Sequence, residues 1–251
     1  MNSILSNYSI TFLHIPKTGG VWVCSAMNEA GIKFKAVGHE HGTHDRMIVE
    51  RLTKGGLLPL RPILKIGRWR NKNQSPPKEK SFCFVRHPLR LYESIWKYQM
   101  DRCWRPTGKE ACPHYWHPFS ALNELGSSDF NEFVWNVMRK RPGFVNEIYY
   151  SVAKSSVTWI GKTERLVDDL IFILNSFKVK FSEDKIRNKP KINESSKPKD
   201  PIVWDPDLRK LITKLELPSL MQFGYLTPEE ADQLGVPYPG FRHPGLINPS
   251  R

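Results

Sequence analysis

The chain lacks the features that mark several large classes of protein. Four cysteines in 251 residues are too few for a disulfide scaffold, and Cys24 and Cys83, set inside apolar runs, read as ordinary core thiols. No stretch approaches the roughly 18–20 uninterrupted apolar residues of a membrane span, so stable membrane insertion is not expected. Residues 1–13 have neither the basic start nor the long apolar core of a secretory signal, and a cytoplasmic location is the expectation. Internal repeats and heptad runs are absent, which excludes solenoids and coiled coils.

What is there describes a globular protein that prefers anions. Hydrophobic residues make up 39% and aromatics 12%, which suits a packed core. The length fits one α/β domain and is too short for two large ones. Net charge is +13 and the isoelectric point about 9.6, so an anionic partner is expected. Nucleic acid, an acidic glycan, a membrane surface or a phosphorylated small molecule would each satisfy that charge.

Three segments share one plan: a short apolar strand, a polar or glycine-rich turn, then an amphipathic helix. The first runs from the strand Ile10 to His14 through Ile15-Pro16-Lys17-Thr18-Gly19-Gly20 to a helix over 21–30, closed by Gly31. The second is Phe82-Cys83-Phe84-Val85, then Arg86-His87-Pro88, then a helix over 89–100, with Pro88 in its first turn. The third is a strand over 157–160, then Gly161-Lys162-Thr163, then a helix through Leu166, Leu170 and Leu174. A further short strand is expected over 34–37. Strands alternating with helices predict an α/β fold, one domain with a central parallel sheet flanked by helices and ligands at the carboxyl ends of the strands. Residues 61–80 read as a basic exposed loop, and 101–118, rich in Trp, His and Pro, as a lid-like insertion.

The chemistry sits in the turns. Backbone N–H groups between a strand and a helix form an anion site, paired glycines let the backbone approach phosphate oxygens, and Lys17 adds charge. The nucleotide-triphosphatase order G-x-x-x-x-G-K-[ST] is not met, because Lys17 and Thr18 precede the glycines. Arg86 ends the second strand and is suited to bidentate contact with a phosphate, with Ser94 eight residues on as a donor. Two anion-binding turns in one parallel sheet suit a nucleotide phosphorylated at both ends.

Residues 14–20 resemble the 5′-phosphosulfate loop of sulfotransferases that use adenosine 3′-phosphate 5′-phosphosulfate (PAPS), in particular the carbohydrate, heparan-sulfate-type branch. Residues 82–94 resemble that family's 3′-phosphate motif. Gly161 to Leu166 is similar to its G-K-x-E-x-L segment, Phe223-Gly224-Tyr225 to its closing F-G-Y, and Asn193 with Ser195 to its Asn-x-Ser. The resemblance implies a P-loop-like sulfotransferase domain over 1–225, followed by an irregular Pro/Gly-rich tail over 226–251. It implies PAPS as sulfuryl donor, no metal, no nucleic acid, and a small-molecule or glycan acceptor presenting a hydroxyl or amine. Pro16, Lys17, Thr18, Gly19, Gly20, Val21 and Trp22 would line the 5′ end of the donor. Val21 and Trp22 stand where many family members carry Thr or Ser, so hydroxyl contacts are lost there. Lys17 would stabilise the leaving oxygen, while Arg86 and Ser94 would hold the 3′-phosphate, with help from the basic stretch 185–199.

For the base that takes the acceptor's proton, the family points to Gly38-His39-Glu40-His41-Gly42-Thr43-His44-Asp45, with His41 the first candidate and His39 the second. Metal binding and plain solvent exposure are the competing readings of that cluster. Cys103, Cys112, His114 and His117 invite a zinc reading, but their spacing fits no common finger. A phosphoryl-transferring kinase and a basic nucleic-acid-binding protein are the alternative functions.

Overall fold

The computed structural model describes residues 10–38, 80–104, 120–154, 156–190, 192, 201–235 and 245–247. Four strands, β1 (Ile10–His14), β2 (Lys35–Gly38), β3 (Lys80–Val85) and β4 (Trp159–Lys162), form one sheet in the order β2-β1-β3-β4. Every pairing is parallel. From β1 the chain crosses to β2 on one side. It later re-enters on the other side of β1 as β3, so the strand order reverses between β1 and β3. In an open parallel sheet the crevice outside the carboxyl ends at such a reversal is where ligands bind.

Alternation along the strands builds two apolar layers. Phe12, Phe82 and Phe84 face one side and pack with Trp22, Val23 and Met27 of α1 (Gly20–Glu29) and with Leu170, Ile173 and Leu174 of α5 (Leu166–Ser176). Cys83 and Val85 face the other side. There they meet Leu91, Tyr92 and Ile95 of α2 (Pro88–Asp101), together with α3 (Phe130–Lys140) and α4 (Phe144–Val152). Buried on both faces, residues 82–85 of β3 form an unbroken apolar run, as parallel strands do. The short α6 (Glu183–Arg187) packs beside α1, and α7 (Pro206–Leu215) and α8 (Leu217–Gln222) close the α2 side. No helix among the described residues is long and apolar enough to cross a membrane.

Strand and helix ends shift by one or two residues from the sequence reading, and two differences change how a segment is understood. The fourth strand covers Trp159–Lys162 and not 157–160, so Gly161 and Lys162 belong to the strand and not to the turn after it. Gly161 is needed there because a Cβ would lie 2.4 Å from the ring of Phe84 on β3. The region after Tyr225 carries more regular structure than its composition suggests. Thr227 and Glu230 form a capping box on α9 (Pro228–Gln233). Residues 245–247 then lie along β4, where the Ile160 N–H donates to the Gly245 carbonyl and the Ile247 N–H to the Ile160 carbonyl.

Candidate active site

The turn after β1 is built from backbone requirements. Lys17 has φ 65° and Gly19 φ 84°, both left-handed, and Gly19 is the N-cap of α1 with no side-chain cap bond. The N–H groups that open α1 are therefore left for a ligand. A Cβ on Gly19 would lie 2.7 Å from Leu166, and one on Gly20 2.0 Å from the ring of His14. Neither position accepts a side chain without displacement of its neighbour. Thr18 is fully buried and its hydroxyl donates to the Ile15 carbonyl at 2.8 Å, so its side chain is committed to the turn itself. Pro16 is buried and Val21 exposed. The Trp22 side chain is a core residue whose indole N–H donates to the Pro190 carbonyl at 3.1 Å.

The turn after β3 is held from behind. Its backbone is clamped by Tyr149 on α4, whose hydroxyl donates to the Arg86 carbonyl at 2.5 Å and accepts from the Arg86 N–H at 2.9 Å. Arg86 Nη1 reaches the Lys17 carbonyl at 3.4 Å, which joins the two turns across the crevice. His87 caps α2, accepting the Leu89 N–H on Nδ1 at 3.3 Å, and its imidazole is pushed down from its ordinary pKa mainly by burial. Ser94 is buried two turns into α2.

The later motifs converge on the same edge. The Thr163 hydroxyl donates to the Val85 carbonyl at 3.0 Å. The carboxylate of Glu164 accepts the His87 N–H on one oxygen and the Tyr225 hydroxyl on the other, each at 2.9 Å. Lys162 Nζ donates to the Gly224 carbonyl at 2.8 Å and lies 4.4 Å from the centre of the Tyr225 ring. Thus Leu166 packs against Gly19, while Thr163 and Glu164 brace the Arg86 turn and Tyr225 of the F-G-Y segment bonds to Glu164.

Lys17 is the centre of charge. Its ammonium lies 4.3 Å from the centroid of the Tyr98 ring. Burial, reinforced by the nearby Arg86 guanidinium and opposed by Asp101, lowers its pKa to about 8. Two cations pressed together at the mouth of a parallel sheet are relieved by a bound anion. The two turns thus offer an anionic group N–H donors and Lys17 after β1 and Arg86 after β3.

Family models, curated proteins and solved structures were all compared with the chain, and none matches it.

Several expected residues fall elsewhere. His39, His41, His44, Cys112, His114, His117 and the Asn193 to Ser195 pair lie outside the described residues. β2 ends at Gly38, level with His14 in the register. In the basic stretch, Lys189 pairs with Glu29 and Lys185 reaches the Glu29 carbonyl, at the far end of α1 from the turn. Among the described residues no group of three or more His, Cys, Asp or Glu side chains is arranged for a metal. Tyr98 and Tyr149 were missed by the sequence reading. Tyr98 lies four residues beyond Ser94 on the same helix, a legible spacing, whereas the bond of Tyr149 to a residue 63 positions away leaves no local signal.

Proposed function

We propose that this chain is a PAPS-dependent sulfotransferase with a P-loop-like donor site, transferring a sulfuryl group to a hydroxyl or amine of a carbohydrate or small-metabolite acceptor. The observation that carries the reading is the convergence of four separate motifs, 14–20, 82–94, 161–166 and 223–225, on the carboxyl edge of one sheet beside its strand-order reversal. PAPS supplies an activated sulfuryl group whose leaving oxygen belongs to a phosphate.

On this reading the N–H groups of Thr18, Gly19 and Gly20, with those of Val21 and Trp22, hold the 5′-phosphate, and Arg86 with Ser94 holds the 3′-phosphate. Lys17 holds positive charge where negative charge develops on the leaving oxygen, a contribution greatest in the transition state. Positioning and charge stabilisation supply the rate, as in phosphoryl transfer. His41, three residues past the end of β2, is the first candidate to take the acceptor's proton, and His39 the second.

The test is transfer from radiolabelled PAPS to a panel of sugar, phenol and amine acceptors in the presence of EDTA. Label should pass to at least one acceptor, and Lys17→Ala should abolish the transfer. Phosphoryl transfer from magnesium-ATP with no sulfuryl transfer would replace this reading with a kinase.

A further inference from the structure

The ammonium of Lys17 belongs to a long, flexible side chain, yet it has a defined seat. Its backbone is held in the left-handed region, and its Nζ lies over the face of Tyr98 at 4.3 Å from the centroid. Tyr98 is carried by α2, between Ile95 and Gln99, both buried. The ring is therefore carried by the helix and not by the loop it serves. The guanidinium of Arg102, one turn on, lies 5.3 Å from the same centroid. Two cations thus share one aromatic ring, whose faces carry the negative side of its quadrupole.

The charged groups around Lys17 are Arg86 from the turn after β3, which repels it, Arg102, whose guanidinium lies against the same ring, and Asp101 from α2, which attracts it. Asp101 is exposed, so its attraction is screened by solvent. Repulsion from Arg86 would swing a free ammonium out of the crevice. A buried carboxylate would restrain it, but would also cancel the charge that an anionic ligand needs. An aromatic face restrains the cation and leaves its charge intact.

We infer that Tyr98 is the positioning residue of Lys17, seating the ammonium beside Arg86 before any ligand arrives. The seat itself is independent of what binds; its consequence for turnover rests on the sulfotransferase reading.

NMR of the protein carrying carbon-labelled lysine tests the seat without ligand, with the Lys17 signal assigned by its loss in Lys17→Arg. In the wild type the ε-methylene signal of Lys17 should be displaced upfield by the ring above it. Tyr98→Phe should keep both the displacement and the titration midpoint. Tyr98→Leu, which keeps apolar cover but removes the ring, should abolish the displacement and lower the midpoint by about 1 pH unit. In transfer assays Tyr98→Leu should lower kcat with little change in KM for PAPS, and Tyr98→Phe should restore it. An unchanged Lys17 signal in Tyr98→Leu, or a Tyr98→Phe that behaves like it, overturns the proposal. A wild type that shows the seat but neither binds nor uses PAPS overturns the sulfotransferase reading alone.

Discussion

Lys17 and Arg86 carry the same charge and stand side by side, yet they are expected to fail differently. Arg86 spans from the Lys17 carbonyl to the crevice and is clamped through its own backbone by Tyr149. On the proposed function its contact to a phosphate would be made in ground and transition states alike, so Arg86→Ala should weaken affinity for adenosine 3′,5′-bisphosphate by at least tenfold. Lys17→Ala should depress turnover more than affinity, because its charge counts most as the leaving oxygen becomes negative. Equal losses of affinity and rate in both variants would contradict this division. Lys17 also sets a pH dependence. Its folded pKa of about 8 lies below the ordinary value of 10.5. Between those values the folded state has released a proton that the unfolded chain still holds, so through this group stability rises with pH across the window. Anion affinity moves the opposite way and falls above about pH 8 as the charge is lost. Titration of adenosine 3′,5′-bisphosphate at pH 7 and pH 9 should find weaker binding at pH 9, and Lys17→Arg should flatten the difference.

At the scale of elements, two glutamates do different jobs. Glu164 leads a single 3-10 turn (Thr163–Arg165) and joins the His87 N–H to the Tyr225 hydroxyl. It is exposed, so its bonds are worth about 1 kcal/mol each at most, yet they fix the turn that presents Arg86. Glu216 is fully buried between α7 and α8. It accepts from the Tyr92 hydroxyl and from the Val145 and Asn146 N–H groups. Those N–H groups open α4, whose N-cap Gly143 offers no side chain, so Glu216 serves as a cap from 71 residues away. Glu216→Ala should therefore cost roughly 2–4 kcal/mol in chemical unfolding and leave affinity in the surviving folded fraction unchanged. Glu164→Ala should show the reverse, a small loss of stability and a several-fold loss of nucleotide affinity. If both variants lose only stability, the 3-10 turn has no part in presenting Arg86.

At the scale of the whole molecule, the parts nearest β1 and β3 were the most legible. Ile10–His14 is a short apolar strand, Gly31 closes α1 at φ 72° and Pro88 opens α2, all local signals that the fold keeps. The third unit was displaced by two residues because a glycine usually marks a turn, whereas Gly161 serves close packing against Phe84 inside the strand. Helices α3 and α4 were not read at all, being anchored by distant partners such as Glu216 and by the aromatic core around Phe133 and Tyr149. The site was legible as separate motifs. That Leu166 lies under Gly19, or that Lys162 ties to Gly224, follows only once the sheet has brought residues more than 60 positions apart into contact.

On the proposed function, the strand ends of β1 and β3 bind a nucleotide phosphorylated at both ends, without metal. Isothermal titration of the protein with adenosine 3′,5′-bisphosphate in EDTA measures this most directly, with magnesium-ATP as the competing ligand and Arg86→Ala as the control. Binding of one nucleotide per chain, tighter than magnesium-ATP, undiminished by EDTA and weakened at least tenfold in Arg86→Ala, is the predicted result. No heat of binding from adenosine 3′,5′-bisphosphate, or a clear preference for magnesium-ATP, would contradict it.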